Sequence, residues 1–393
     1  MAEKTIPEVS ESASLSGNGS IRELVSFFLR LGTTAFGGPA AHIAIMEDEL
    51  VRRRRWLSRE KFLDLLGASN LIPGPSSSEL AIHIGYLRAG WTGLLVAGIC
   101  FVLPAAIIVG VLAWLYVHFG KLSATSAVLY GVKPVVIAVI VQALWSLGRT
   151  AVKTTFLGLV GASSMVLAFL GLHPLLLLLL AGSAVWLTAL RTSHLSVSPF
   201  PVCAAPAAAL AGTAASFSLA SLFLVFLKVG AVVFGSGYVL LAFLRADLVV
   251  HRGWLTDSQL VDAVAVGQLT PGPVFTTATF VGYLLGGVRG SVIATVGIFL
   301  PAFLLVAASG PLVPRIRRSK IAGAFLDGVN VGSLALMAEV TWQLGRTSLI
   351  DVVTMVLAVV SVVALLRLRL NSAWLVLVGA VVGLMTRAVH HTL

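Results

Sequence analysis

Hydrophobic positions along this chain gather into long runs separated by short polar loops, and in the first half they form six segments, at about 24–46, 61–88, 92–118, 123–148, 154–171 and 173–190. A helical bilayer crossing takes about 20 predominantly apolar residues, so the pattern predicts a polytopic helical membrane protein. The first two segments differ from the rest. Phe36-Gly37-Gly38-Pro39 interrupts one and Pro73-Gly74-Pro75 the other, leaving pieces of about 12 residues, roughly 18 Å long at 1.5 Å per residue. Such a piece reaches halfway across a bilayer. Two of them around a Pro-Gly break predict a re-entrant hairpin, tolerated only where protein or water surrounds it.

The same pattern occurs twice. Shifted by 198 positions, Phe28, Gly32, Phe36, Gly37, Trp56, Asp64 and Pro73-Gly74-Pro75 fall on Phe226, Gly230, Phe234, Gly235, Trp254, Asp262 and Pro271-Gly272-Pro273. After a one-residue deletion the shift is 197, and Gly85-Tyr86, Pro104, Gly131 and Gly148-Arg149-Thr150 fall on Gly282-Tyr283, Pro301, Gly328 and Gly345-Arg346-Thr347. Self-similarity over this length marks a duplicated structural unit. The expected organisation is a disordered tail over 1–20, a first repeat over 21–191, a linker with an extra membrane crossing over 192–216 and a second repeat over 217–393.

Of the 393 residues 58% are hydrophobic and 11% charged, with a mean hydropathy of +0.99. A soluble domain carries about 25% charge, so a soluble fold is excluded. The net charge of +11 sits in short loops and reads as a topology signal, not as a nucleic-acid surface. If the first two segments enter from the cytoplasm, Arg22, Arg52 to Arg55, Arg59, Lys61, Arg88, Arg149, Lys153 and Arg191 are all cytoplasmic and Lys121 alone lies outside. In the second repeat the heavy basic loops hold Arg315, Arg317, Arg318 and Lys320, then Arg367 and Arg369, a displacement by one segment. An inverted copy shows that displacement, because positive loops mark the cytoplasm. The fold class expected is an all-α polytopic membrane protein of two homologous six-segment repeats, inverted, with discontinuous helices at the midplane. The alternative topology, in which every segment spans, scatters the cations over both faces.

Little points to other chemistry. The first 20 residues lack an apolar stretch, so no cleaved signal is expected. Cys100 and Cys203 lie in separate apolar stretches without CxxC spacing, and the eight histidines show no ligand spacing; neither a disulfide framework, a metal nor a cofactor is expected. No GxSxG, HExxH or P-loop pattern occurs, so the chain is not read as an enzyme.

Inverted repeats with broken helices bind their substrate near the midplane at the breaks. The candidate substrate-binding residues are therefore Gly37, Gly38, Gly74, Ser76, Ser77 and Ser78 in the first repeat and Gly235, Ser236, Gly272 and Thr276 in the second. A helix restarting after Pro75 exposes its first N–H groups and suits an anion. Arg30 and Lys228 each lie six residues before the first break of their repeat, and an ionisable side chain inside a span is a functional candidate by default. Two facing cations suit a dianion. Glu79 and Glu339 are the candidates for proton coupling. Snorkelling to the headgroups is the structural alternative for Arg30 and Lys228, and satisfied packing for the two glutamates.

The runs Phe28-Leu29-Arg30-Leu31-Gly32 and Phe36-Gly37-Gly38-Pro39-Ala40, with Trp56-Leu57 and Pro73-Gly74-Pro75, resemble the chromate ion transporter family. The resemblance covers both repeats. It implies a bacterial inner-membrane exporter of chromate that confers chromate resistance. The second repeat departs from the pattern, with Phe234-Gly235-Ser236-Gly237 in place of FGGP and Val274-Phe275 after the PGP in place of serines, so the halves need not contribute equally. The partners expected are chromate or a similar oxyanion and the lipid bilayer, without nucleic acid, and a homodimer is left open. An importer or exchanger of sulfate is the rival within transport; a non-transporting receptor or scaffold is the rival outside it.

Overall fold

The computed structural model of the chain describes residues 17–36, 38–70, 72–120, 123–192, 217–233, 239–309, 320–368, 370 and 372–392. Every regular element among them is helical. The first half runs α1 (Gly17–Thr34), α2 (Gly38–Met46, prolonged by π-type turns to Arg53), α3 (Arg59–Ser69), α4 (Ser76–Phe119), α5 (Ser123–Ala151), α6 (Thr155–Phe169) and α7 (Pro174–Thr192). The second repeats it as α8 (Leu219–Val232), α9 (Leu240–Leu244, prolonged to His251), α10 (Asp257–Leu269), α11 (Thr277–Ser309, entered by a 3-10 turn over Val274–Thr276), α12 (Lys320–Ser348), α13 (Val352–Arg367) and α14 (Ser372–Thr392). The expected tail begins its helix at Gly17; the rest of it, the expected crossing within 192–216 beyond Thr192, and the cations Lys121, Arg315, Arg317, Arg318 and Arg369 lie outside the described residues.

Polar residues start the helices where loops surface. Ser58 caps α3, Thr154 caps α6, and Thr256 with Gln259 and Asp351 with Thr354 form reciprocal capping boxes on α10 and α13. Breaks inside α4 and α11 come from glycine. Ala89 and Gly90 leave helical geometry in α4, as Gly286 and Gly287 do in α11, and both Gly90 and Gly287 have φ +58°, which a side chain resists. The limbs 76–88 and 91–119 then fold back on each other so closely that a Cβ on Gly85 would overlap the Gly93 carbonyl; Gly282 and Gly290 repeat the contact. The second predicted segment is thus α3 plus a half-helix, and the third is the full-length limb.

The two halves interlock. The pair α6–α7 packs on α12 of the other half, and α13–α14 packs on α5. Gly131 meets Gly379 and, at the equivalent place, Gly328 meets Gly182, each too near for a Cβ. Where α4 crosses α11, Gly98 faces Phe303 and Gly110 faces Ser291, so the long limbs run antiparallel. An axis relating two antiparallel helices lies perpendicular to both. With those limbs spanning a bilayer, that axis lies in the membrane plane and the repeats are inverted.

Four helical stretches, Ser76–Phe119, Ser126–Ala151, Val274–Ala308 and Gly323–Ser348, are long and apolar enough to cross a membrane. On α4 the exposed side chains Trp91, Leu95, Ile99, Leu103, Ile107, Val111 and Trp114 form one outward stripe. Its two tryptophans stand about 34 Å apart at 1.5 Å per residue, near the roughly 30 Å of a hydrocarbon core. Contacts between loops sort the ends of the bundle. Arg88 pairs with Glu23 at 2.9 Å and stacks on Trp56, and Lys153 pairs with Asp327 at 2.8 Å, at one end. At the other end Tyr130 bonds Asp351, His173 meets His251, and Phe217 meets Trp254. The first end carries Arg52 to Arg55, Arg59, Lys61, Arg88, Arg149, Lys153 and Arg367.

Candidate functional site

The breaks of each half are held by the other. Gly74 donates its N–H to the Val233 carbonyl at 2.7 Å, and Gly272 donates to Ala35 at 3.0 Å. Both glycines have positive φ, +137° and +90°, and a Cβ would strike the Glu79 carboxyl at Gly74 and Ala105 at Gly272. A side chain at either place would strain the backbone and displace a neighbour.

Beside these breaks lies a cavity of about 520 Å³, walled by Pro39 after the first break, Ser76 at the start of the half-helix, Val239 after the third break, and Gln142, Asn330 and Ser333 on α5 and α12. Lys153 and Asp327 stand at its basic end. It has room for roughly 17 waters at about 30 Å³ each, enough for a hydrated oxyanion. Its donors are hydroxyl and amide groups, and Pro75 at the N-cap offers no side-chain cap to the helix that begins behind it, so that helix start adds the positive end of a dipole.

Of the residues singled out from sequence, Ser76 lines this cavity. Ser77 is buried against His42 at 3.4 Å, and Ser78 is buried with its hydroxyl unpartnered. Gly38 opens α2 with φ +72°. The Thr276 hydroxyl donates to the Pro273 carbonyl at 2.8 Å. Gly37, Gly235 and Ser236 lie outside the described residues. Glu79 is fully buried, and alone among the described buried carboxyls both of its oxygens lack a partner; Glu339 accepts from Gln343 one turn along α12.

The two cations occupy unlike surroundings. Lys228 pairs with the buried carboxylate of Asp247 at 2.7 Å, so its charge is compensated within the chain. Arg30 is exposed on a mostly polar stripe of α1 with Arg22, Glu23, Ser26, Leu29, Thr33 and Thr34, and no carboxylate among the described residues pairs with it within 4.0 Å. A polar stripe on a membrane helix faces water or protein rather than lipid. Neither Arg30 nor Lys228 lines the cavity.

Sequence reasoning passed over Lys133, Asn330 and Ser333. Lys133 lies inside α5 beside Pro134 and pairs with Asp262 at 3.1 Å. The signal that drew attention to Arg30, an ionisable residue within an apolar run, was present there too.

A family model described as Chromate transporter matches the chain twice, over residues 22–186 and 220–384. The chain belongs to the chromate transporter family. It is 34% identical to the chromate transport protein of Cupriavidus metallidurans over 95% of this chain and 94% of that one. It is 32% identical to a probable chromate transport protein of Synechococcus elongatus, covering 93% and 95%, and 36% identical to the chromate transport protein of Pseudomonas aeruginosa, covering 84% and 82%. No solved structure matches. Family membership and the apolar helices make this a multi-pass protein of the bacterial inner membrane.

Proposed function

We propose that this member of the chromate transporter family exports chromate, a tetrahedral dianion, from the cytoplasm and so confers resistance to it. The observation that carries the reading is the cavity of about 520 Å³ at the helix breaks of two inverted halves, open at the basic end of the bundle. By the positive-inside rule that end is cytoplasmic, so a cytoplasmic anion entering past the Lys153–Asp327 pair meets Asn330, Gln142 and Ser76. Arg30, exposed and without an ion-pair partner among the described residues, is proposed to add to the positive field felt by the entering anion. The other break residues, Gly37, Gly38, Gly74, Gly235 and Gly272 with Ser77, Ser78, Ser236 and Thr276, are proposed to shape the anion's path behind the cavity, Gly74 and Gly272 by holding the turns, since their own N–H groups bond Val233 and Ala35. Lys228 is held as an internal pair with Asp247.

The driving force is sufficient. Moving two negative charges out of an inside-negative cell is favoured by about 4.6 kcal/mol per 100 mV, which at about 1.4 kcal/mol per decade supports a gradient of roughly three decades. Glu79, buried with both oxygens unpartnered, is the group proposed to couple a proton to the cycle, with Glu339 second.

The test is cellular chromate content with and without the protein, with sulfate as competitor. Export lowers internal chromate and leaves sulfate content unchanged. A higher chromate content would make the protein an importer, and sulfate movement at the same rate would make it a general oxyanion exchanger.

A further inference from the structure

The cavity has a closed counterpart. The two-fold that exchanges the halves carries the cavity residues Ile43, Leu147, Ser333 and Leu334 onto Leu241, Leu344, Val136 and Ile137, and all four of these are buried. It carries the polar cavity residues Asn70, Gln142 and Asn330 onto Gln268, Glu339 and Lys133. What closes the second place is α10, which packs on α5 and α12, whereas α3 makes no comparable packing on either among the described residues.

A charged latch fastens α10. Lys133 on α5 lies 3.1 Å from Asp262 Oδ1 and donates to Ser258 Oγ at 2.7 Å, both on α10, while the Tyr116 hydroxyl of α4 donates to Asp262 Oδ2 at 2.9 Å. At the open place the residues equivalent to Lys133 and Asp262 are Asn330 and Asp64, so a closed inner cavity would lack the cation. The state found here, open at the basic end and latched at the other, follows from that difference.

Unpartnered polar groups mark the same spot. Gln268 Nε2, Gln343 Oε1 and Ser348 Oγ are buried without a partner among the described residues, and their residues are the equivalents of Asn70, Ser146 and Ala151, which line the open cavity. Buried polar groups are rarely left unpaired. Water entering an opened cavity would satisfy all three.

We infer a second oxyanion vestibule on the outer side, closed in this structure, in which Lys133 and Gln268 receive the anion before release. It opens when α10 leaves α5 as α3 docks on α12 and shuts the first cavity. Lys133, a hydrated point charge on a flexible stem, exchanges Asp262 for the dianion and back, and Glu339, placed where the inner cavity has the neutral Gln142, opposes retention of the anion. The inference rests on the transport reading above, but its test does not use chromate.

Single cysteines at Asn70 and Gln268, each in the full chain with Cys100 and Cys203 replaced by alanine, are labelled with an impermeant maleimide, from the cytoplasmic side in everted vesicles and from the outside in cells. In the parent background Asn70→Cys reacts quickly and Gln268→Cys slowly. Adding Lys133→Asn, which removes the outer latch, or Asn330→Lys, which supplies the missing inner one, should speed Gln268→Cys and slow Asn70→Cys. Each change should be about tenfold, an equilibrium shift of about 1.4 kcal/mol. Unfolding would speed both sites. Opposite movements in either variant support the vestibule; an unchanged Gln268→Cys rate, or two rates rising together in both variants, overturns it. Opposite movements in a protein that moves no chromate would leave the vestibule standing and overturn the substrate.

Discussion

Gly74 and Val233, from opposite halves of the chain, are joined by an amide-to-carbonyl hydrogen bond of 2.7 Å, and their equivalents Gly272 and Ala35 make the same bond in the reverse sense at 3.0 Å. Each half therefore completes the broken helix of the other, and neither forms the site alone.

Replacing Gly74 should be costly for a local reason. A Cβ there meets the Glu79 carboxyl at a backbone φ of +137°, so Gly74→Ala must displace either the turn or the buried carboxyl. Transport per molecule should fall at least tenfold while the protein remains in the membrane, measured as chromate flux normalised to protein level.

Packing between the halves predicts matched effects at equivalent glycines. Gly131 and Gly328 each lie against a backbone of the other half with no room for a Cβ, whereas Gly345 has nothing within 4 Å. Gly131→Val and Gly328→Val should each destabilise the protein by about 1–3 kcal/mol, and Gly345→Ala should be neutral or slightly stabilising. Thermal unfolding in detergent distinguishes them.

Lys228 and Asp247 should behave as a pair. Lys228→Gln leaves the Asp247 carboxylate buried and uncompensated, a loss of about 3–5 kcal/mol for a broken buried pair, and should lower the amount of folded protein. Adding Asp247→Asn should restore the level and most of the flux. A double variant that is folded but inactive would instead show that Lys228 meets the anion directly.

Arg30 should separate flux from folding. It is exposed and without an ion-pair partner among the described residues, so Arg30→Gln should leave protein level and melting temperature unchanged while slowing transport. Arg30→Lys should retain more activity than Arg30→Gln, because it keeps the charge but not the two-pronged geometry of a guanidinium. Full activity in Arg30→Gln would remove this residue from the anion path.

Labelling tests the orientation. In the cysteine-free background, Arg252→Cys, beside Trp254 at the less basic end, should react with an impermeant maleimide in intact cells, and Arg53→Cys should not. The reverse pattern would turn the cavity toward the outside.

The broken helices, the duplication and the inversion were legible in the sequence because glycine, proline and charge act locally. Pro73-Gly74-Pro75 announces the half-helix over 76–88, and the displaced basic loops announce the inverted copy. The exchange of α6–α7 and α13–α14 between halves was not legible, since a short connection such as that between Ala151 and Thr155 suggests a neighbour within the same half. Lys133, and with it the pairing of Asp262, escaped notice because a search for features shared by both repeats favours symmetric residues such as Asp64 and Asp262, and Lys133 answers to a neutral Asn330. The Lys228 pairing escaped it for a related reason. Its equivalents are Arg30 and Glu49, but Glu49 pairs with Arg54 at 2.9 Å, which leaves the two halves differently charged.

Chromate uptake into energised everted vesicles is the most direct test, comparing the parent protein with Asn330→Trp, which fills the cavity that Asn330 lines. Uptake by the parent that is inhibited by collapse of the membrane potential, and abolished by Asn330→Trp at equal protein level, is the result expected of an exporter loading through this cavity. No uptake by the parent, or equal uptake by both, would contradict it.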